Sequence, residues 1–220
     1  EDMFLQKVKN IAKKNNIVLI FDECTSGFRE TFGGINIKYN INPDIIIFGK
    51  ALGNGYAINA IVGEKKIMNK AENTFISSTF WTERIGYAAG IATLKEMHKL
   101  KSWKIISEKG DFIKNEWKKI ADKYKLEISI TGLRPMISFK FNYEEHNILK
   151  TFITQEMLNY GFLASNTIYV SIAHSDAIIK KYLYFLEKTF FKISKFENFN
   201  DIAKKLISKQ PSQSTFKRLN

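Results

Sequence analysis

The stretch Asp44-Ile45-Ile46-Ile47-Phe48-Gly49-Lys50-Ala51-Leu52-Gly53-Asn54-Gly55 decides how this chain is read. Its short, Ile-rich apolar run reads as a buried strand, which stops at a lysine followed by a glycine-rich loop. A solvated charge is out of place at the end of a buried strand, and three readings of Lys50 compete. It is a surface lysine just past a strand end, or part of a phosphate loop, or a Schiff-base lysine whose amine is activated in a partly desolvated site. The phosphate loop fits poorly, because its lysine is followed by Ser or Thr and here Ala51 follows.

A second segment, Ile17-Val18-Leu19-Ile20-Phe21-Asp22-Glu23, is also an apolar run ending in charge. Two parallel strands ending side by side place Asp22 and Lys50 at the carboxyl edge of one sheet, where open α/β sheets bind ligands. A carboxylate and an amine held there suit pyridoxal phosphate, the lysine forming the imine and the aspartate partnering the pyridinium nitrogen. The plain alternative for Asp22 is a strand-end carboxylate that caps a nearby helix.

The ordered set Phe21-Asp22-Glu23-Cys24-Thr25-Ser26-Gly27-Phe28-Arg29, Phe32-Gly33-Gly34, Asn42-Pro43-Asp44 and Gly49-Lys50-Ala51-Leu52-Gly53-Asn54-Gly55 resembles the class III aminotransferases. Within them it is most similar to the glutamate-1-semialdehyde 2,1-aminomutase group. Ser77-Ser78-Thr79-Phe80-Trp81, leading to Ala88-Ala89-Gly90, resembles that group's phosphate-contacting threonine and the helix after it. The likeness runs from the first residues to about Leu186. Each motif is moderate alone, and the ordered set is strong.

At 220 residues and 45% hydrophobic content, the chain has enough apolar material for one large domain or two small ones. No apolar run spans a bilayer and no cleavable signal is visible, so the expectation is a soluble, cytoplasmic protein without a membrane partner. The single cysteine, Cys24, excludes an internal disulfide, and the scattered His98, His146 and His174 make no metal-ligand cluster. A net charge of +12 raises nucleic acid as a partner. Here, though, lysine is spread along the whole chain and no nucleic-acid motif accompanies it, so none is expected.

Residues 1–16 carry Phe4, Val8, Ile11 and Ala12 at helical spacing and precede the strand 17–21. Residues 25–39 read as a glycine-bearing loop long enough to be functional. The short link from Lys50 to the strand 58–63 predicts an antiparallel return. A short helix over 64–70, an extended stretch over 74–81 and a helix over 83–100 follow. Beyond residue 110 the pattern predicts an amphipathic helix over 112–124, strands over 126–131 and 136–142, and a helix over 147–160 closed by Gly161. Short strands over 162–164 and 167–172 and a last helix capped by Ser175 and running to residue 187 complete it.

The resemblance implies a pyridoxal-phosphate-dependent transferase of fold type I: an α/β chain with a partial, mostly parallel large-domain sheet and a C-terminal α+β small domain. It divides the chain at 1–104, the second half of the cofactor-binding large domain, 105–190, the small domain, and 191–220, a polar tail in which 199–208 reads as a candidate short helix. The start of the chain falls about midway through the family sequence. The expectation is therefore a C-terminal half, inactive alone, lacking the upstream phosphate loop, the ring-stacking aromatic and several strands.

By the same resemblance, Lys50 holds the cofactor aldehyde and moves a proton between the substrate carbon and the cofactor C4′ carbon in ping-pong aldimine and ketimine chemistry. Asp22 keeps the ring nitrogen protonated. Cys24, two residues on and on the same strand face, replaces a valine that packs under the ring. Thr79 donates to the phosphate across a homodimer interface, although a strand threonine with a local bond explains it nearly as well. The partners implied are a small-molecule amino donor and an oxo acceptor. Amino transfer between two substrates and intramolecular transfer by an aminomutase both remain open, as does a truncated, non-catalytic chain. Bulky Trp81 departs from the aminomutase's small-residue segment. The stretch 169–174 lacks the late arginine of many α-amino-acid transaminases, and Arg29 and Arg134 are basic residues read as structural.

Overall fold

A computed structural model describes residues 3–80 and 82–212. The chain divides into two compact units, Glu1–Ile105 and Ile106–Asn220.

In the first unit, helix α1 (Phe4–Lys14) leads into strand β1 (Ile20–Glu23), followed by the short helix α2 (Ile35–Tyr39) and strand β2 (Ile45–Phe48). The two strands are parallel, with Asp22 opposite Ile47 and Glu23 opposite Phe48. Asp44 sets this register: its carboxylate accepts the Leu19 amide at 2.7 Å, and its own amide donates to the Leu19 carbonyl at 2.9 Å. Strand β3 (Ala60–Gly63) returns antiparallel to β2, as the short link predicts. The sheet order is thus β1-β2-β3. Helix α3 (Lys65–Met68), a 3₁₀ turn (Asn69–Asn73) and an irregular stretch over 74–80 lead to helix α4 (Arg84–Leu100). On α4, a Cβ at Gly86 would stand 2.6 Å from the Ala57 carbonyl. Glycine there lets the helix touch the chain that follows the Lys50 loop.

The second unit holds most of helix α5 (Ser102–Lys123), then strands β4 (Ile128–Leu133) and β5 (Met136–Phe141), helix α6 (His146–Asn159), strand β6 (Thr167–Tyr169) and helices α7 (Asp176–Ile193) and α8 (Asn200–Ala203). Its sheet, in the order β4-β5-β6, is antiparallel throughout. The alternation in β5 buries Ile137, Phe139 and Phe141 and leaves Lys140 exposed. Phe139 is the hub: the α5 Trp117 ring lies 4.8 Å from it and the α7 Phe190 ring 5.8 Å. Leu149, Ile153 and Met157 of α6 complete a fully buried core. Ser175 caps α7 by accepting the Ile178 amide, and Gly161 takes the left-handed conformation (φ 81°) just past α6.

Several segments differ from the sequence reading. Strand β1 runs over Ile20–Glu23 rather than 17–21, and residues 35–39 at the end of the expected loop form α2. Helix α5 begins at Ser102, ten residues early, because Ile106, at helical spacing ahead of Ile113 and Trp117, is also buried. Residues 162–164 run as irregular chain. The segment from 191, expected as a polar tail, extends α7 to Ile193 and then packs: Ile202 is fully buried, and the Phe199 ring lies 4.9 Å from Tyr143. Its apolar residues 196, 199, 202 and 206 recur at helical spacing, and helix α8 falls inside the short helix expected over 199–208.

Candidate active site

Adjacent parallel strands bring Asp22 and Lys50 to one sheet edge, since β1 ends at Glu23 and β2 at Phe48. Gly49 crosses in extended conformation, and a Cβ on it would stand 2.4 Å from Asn59 Oδ1 and 3.3 Å from Cys24 Sγ. A side chain at this position would have to displace the Asn59 amide. Lys50 then takes a positive φ of 40° at the head of a 3₁₀ turn, Lys50–Leu52. For a residue with a Cβ this conformation costs roughly 1–2 kcal/mol. Such stored strain is concentrated at functional positions. The Lys50 side chain is exposed, and its Nζ donates a hydrogen bond to Thr25 Oγ1.

Asp22 is exposed, and its Oδ1 accepts the Cys24 amide at 3.0 Å. That backbone hydrogen bond, followed by one from the Cys24 thiol and, more weakly, the Lys50 charge, holds its carboxyl below the usual aspartate value. Burial, then the Asp22 carboxylate beside it, pushes the Cys24 thiol up, so Cys24 stands as a neutral thiol. Cys24 lies in the turn past the end of β1 rather than on the strand, because the chain bends after Glu23 to start the loop.

Glu23 is the buried organiser of this edge. Its carboxylate accepts the Ile35 amide at 2.6 Å and the Ser26 hydroxyl, and its carbonyl accepts the Gly27 amide at 2.8 Å. Both ends of the loop 24–34 are thereby tied to one side chain. Gly34 makes room for this carboxylate, since a Cβ there would stand 2.6 Å from Asn36 Oδ1 and 2.9 Å from Glu23 Oε1. Within the loop, Arg29 Nε donates to the Thr25 carbonyl at 2.9 Å, and the Phe28 ring packs on Phe48 at 5.1 Å. Arg29 therefore braces the loop, while Arg134, in the second unit, pairs with Asp111 at 2.5 Å.

The structure thus joins Lys50, Asp22 and Cys24 in one cluster. Thr79 stands exposed in the irregular stretch 74–80, and none of the hydrogen bonds above reaches it. Trp81 lies outside the described residues. Sequence reasoning missed Thr25 and Glu23. The signal for both was present, since they flank Cys24 in the motif that begins at Phe21, but hydrogen-bond direction is not visible in one dimension. Among the described residues, no His, Cys, Asp or Glu cluster could hold a metal ion, and no helix is long and apolar enough to cross a membrane.

The donor set fits pyridoxal phosphate: a reachable primary amine and an ionised carboxylate at one sheet edge, with a small neutral side chain, Cys24, beside them. Comparison with known proteins agrees. The profile of the family described as Aminotransferase class-III matches residues 1–187. A 3-aminobutyryl-CoA aminotransferase of Cloacimonas acidaminovorans is 33% identical over 153 residues, 69% of this chain and 37% of that protein. A glutamate-1-semialdehyde 2,1-aminomutase of Methanococcus maripaludis is 30% identical over 198 residues, 82% of this chain and 46% of its own length. The chain therefore spans less than half of these relatives.

Among solved structures, the internal aldimine form of the Sphingopyxis FumI protein superposes with a TM-score of 0.80 at 20% identity, covering 90% of this chain and 50% of that one. An omega-transaminase from Sphaerobacter thermophilus gives 0.77 at 16%, covering 87% and 48%. The fold is that of the fold type I transaminases. By the match over most of its length, this chain belongs to the class III aminotransferase family.

Proposed function

We propose that this chain carries the lysine- and aspartate-bearing half of a pyridoxal-phosphate-dependent enzyme that transfers amino groups between small molecules. The observation that carries this reading is the pairing of an exposed Lys50, on strained backbone, with an ionised Asp22 at the ends of two adjacent parallel strands. Lys50 would hold the cofactor covalently, Asp22 its ring nitrogen and Thr79 its phosphate. When bound, the cofactor supplies an electron sink for a carbanion at the substrate's amino-bearing carbon.

The chain's own residues do the rest. Lys50, when its amine is free, would carry a proton to or from the substrate carbon at Nζ as general base and acid. Asp22 stays ionised, which favours a proton on the ring nitrogen. Cys24, small and uncharged, gives the ring room beside that carboxylate.

The two units correspond, in this reading, to the second half of the cofactor-binding domain and to the small domain, with residues 191–212 belonging to the latter. A homodimer is inferred from family membership and from the exposed apolar residues Ile85, Tyr87 and Ile91 of α4, with Phe75, Ile76 and Phe80 ahead of it. A second copy would cover these.

The aminomutase variant, intramolecular amino transfer, is favoured by the 82% coverage of this chain by relatives of that name and by the lack of arginine over 169–174. The test is intact mass of the native protein after borohydride reduction with pyridoxal phosphate. A reduced adduct mapped to Lys50 is expected, and Lys50→Ala should lose both adduct and turnover. Amino transfer surviving in Lys50→Ala would sink the assignment, and a native chain without an adduct would leave the non-catalytic reading.

A further inference from the structure

We propose that Thr25 is a positioning residue for the reacting amine: its hydroxyl sets where Lys50 Nζ rests whenever that amine is not covalently engaged. The inference rests on the reading of Lys50 given above. A lysine carries its amine on four rotatable methylenes, so an exposed one samples many positions. Lys50 is exposed, yet both ends of its side chain are fixed. The backbone end is held by the left-handed φ of 40° at the start of the 3₁₀ turn, and the amine end by the hydrogen bond to Thr25 Oγ1. Among the described residues, that is the hydrogen bond Lys50 Nζ makes, and it forms no ion pair.

The anchor is itself anchored. The Thr25 carbonyl accepts Arg29 Nε at 2.9 Å, Ser26 next to it donates its hydroxyl to the buried Glu23 carboxylate, and the Gly27 amide closes on the Glu23 carbonyl at 2.8 Å. Threonine is stiff at χ1, so a fixed backbone also aims its oxygen. A hydroxyl suits the task better than a carbonyl or carboxylate would. It accepts from an ammonium and donates to the lone pair of a neutral amine, and a lysine that takes up and releases a proton passes through both states. Thr25 can therefore keep hold of Nζ through the whole exchange.

The test uses the native, full-length protein freed of cofactor. Pyridoxal phosphate is added, the reaction is quenched with borohydride at successive times, and the adduct at Lys50 is followed by mass. In this step the amine condenses with the aldehyde and water leaves; hydride from borohydride plus a proton from solvent then reduces the C=N bond to a stable secondary amine. Thr25→Val, which keeps the shape and removes the hydroxyl, should slow capture about fivefold to tenfold, the scale of one lost hydrogen bond. Thr25→Ser should recover to within about twofold, with unchanged circular dichroism for both variants.

Capture by Thr25→Val at the rate of the unmodified protein would overturn the proposal. So would a Thr25→Ser variant as slow as Thr25→Val, since the hydroxyl would then not be the agent. Absence of any adduct at Lys50 in the unmodified protein would instead remove the reading of Lys50 itself, and this inference with it.

Discussion

Asp22 and Lys50 differ in what holds them. Asp22 gains its low carboxyl pKa from a fixed backbone amide two residues on, so the effect is built into the turn and needs no partner from elsewhere. With a folded-state pKa depressed below the ordinary 3.8, its contribution to stability is present above that value and is lost only as pH falls through the lower folded value. Carbon-detected NMR titration should therefore place the Asp22 midpoint below 3.8. A midpoint at or above it would contradict the hydrogen-bonded geometry, and would also weaken the case for an anionic partner to a ring nitrogen at mildly acid pH. Lys50 owes its placement to glycine on one side and a threonine hydroxyl on the other. Either could be changed without touching the lysine itself.

Among the elements, the clearest commitments are in the second unit. The Trp117 indole N–H of α5 donates to the Tyr182 hydroxyl of α7 at 3.0 Å, with Trp117 fully buried. Burial pushes the Tyr182 hydroxyl far above its ordinary range, so it is a neutral acceptor at every pH the fold survives. Tyr182→Phe should cost about 1–3 kcal/mol in denaturant unfolding, because it strands a buried donor. The double variant Tyr182→Phe with Trp117→Phe should not add a second hydrogen-bond penalty on top of the lost indole packing. Fully additive losses would show that the bond carries no coupling.

The loop 24–34 and the stretch 74–80 mark the opposite extreme, elements defined by what ties them. The first is pinned to one buried glutamate and two glycines. The second, for all the apolar side chains it carries, stands exposed. The resemblance identifies Thr79 in that stretch, where it stands exposed.

For the whole molecule, the two units bury their apolar residues unequally. The second has a continuous core from Ile106 to Leu206. The first leaves Phe4, Ile11, Ile17, Val18, Ile20, Ile61 and Val62 exposed around a three-stranded sheet whose outer strands, β1 and β3, each pair on one side. Exposed apolar faces and unpaired strand edges are association surfaces. The 220-residue chain made by itself should bind an apolar dye and grow in light scattering with concentration. A monodisperse monomer that binds no dye would show that these faces are satisfied in some other way.

The apolar runs that lead to Asp22 and Lys50, the parallel pairing of their strands, the antiparallel return of β3 and the inward alternation of β5 were all legible in the sequence. So was the family, from motifs kept in order. These follow from local patterns: apolar periodicity, short links and residues at fixed spacing. What only the tertiary structure decided is which oxygen takes the Lys50 amine, that Glu23 faces inward to tie the loop, and that residues 196–206 join a core despite their polar company. Each depends on contacts between residues far apart in the chain or on the direction a side chain takes, and a one-dimensional pattern carries neither.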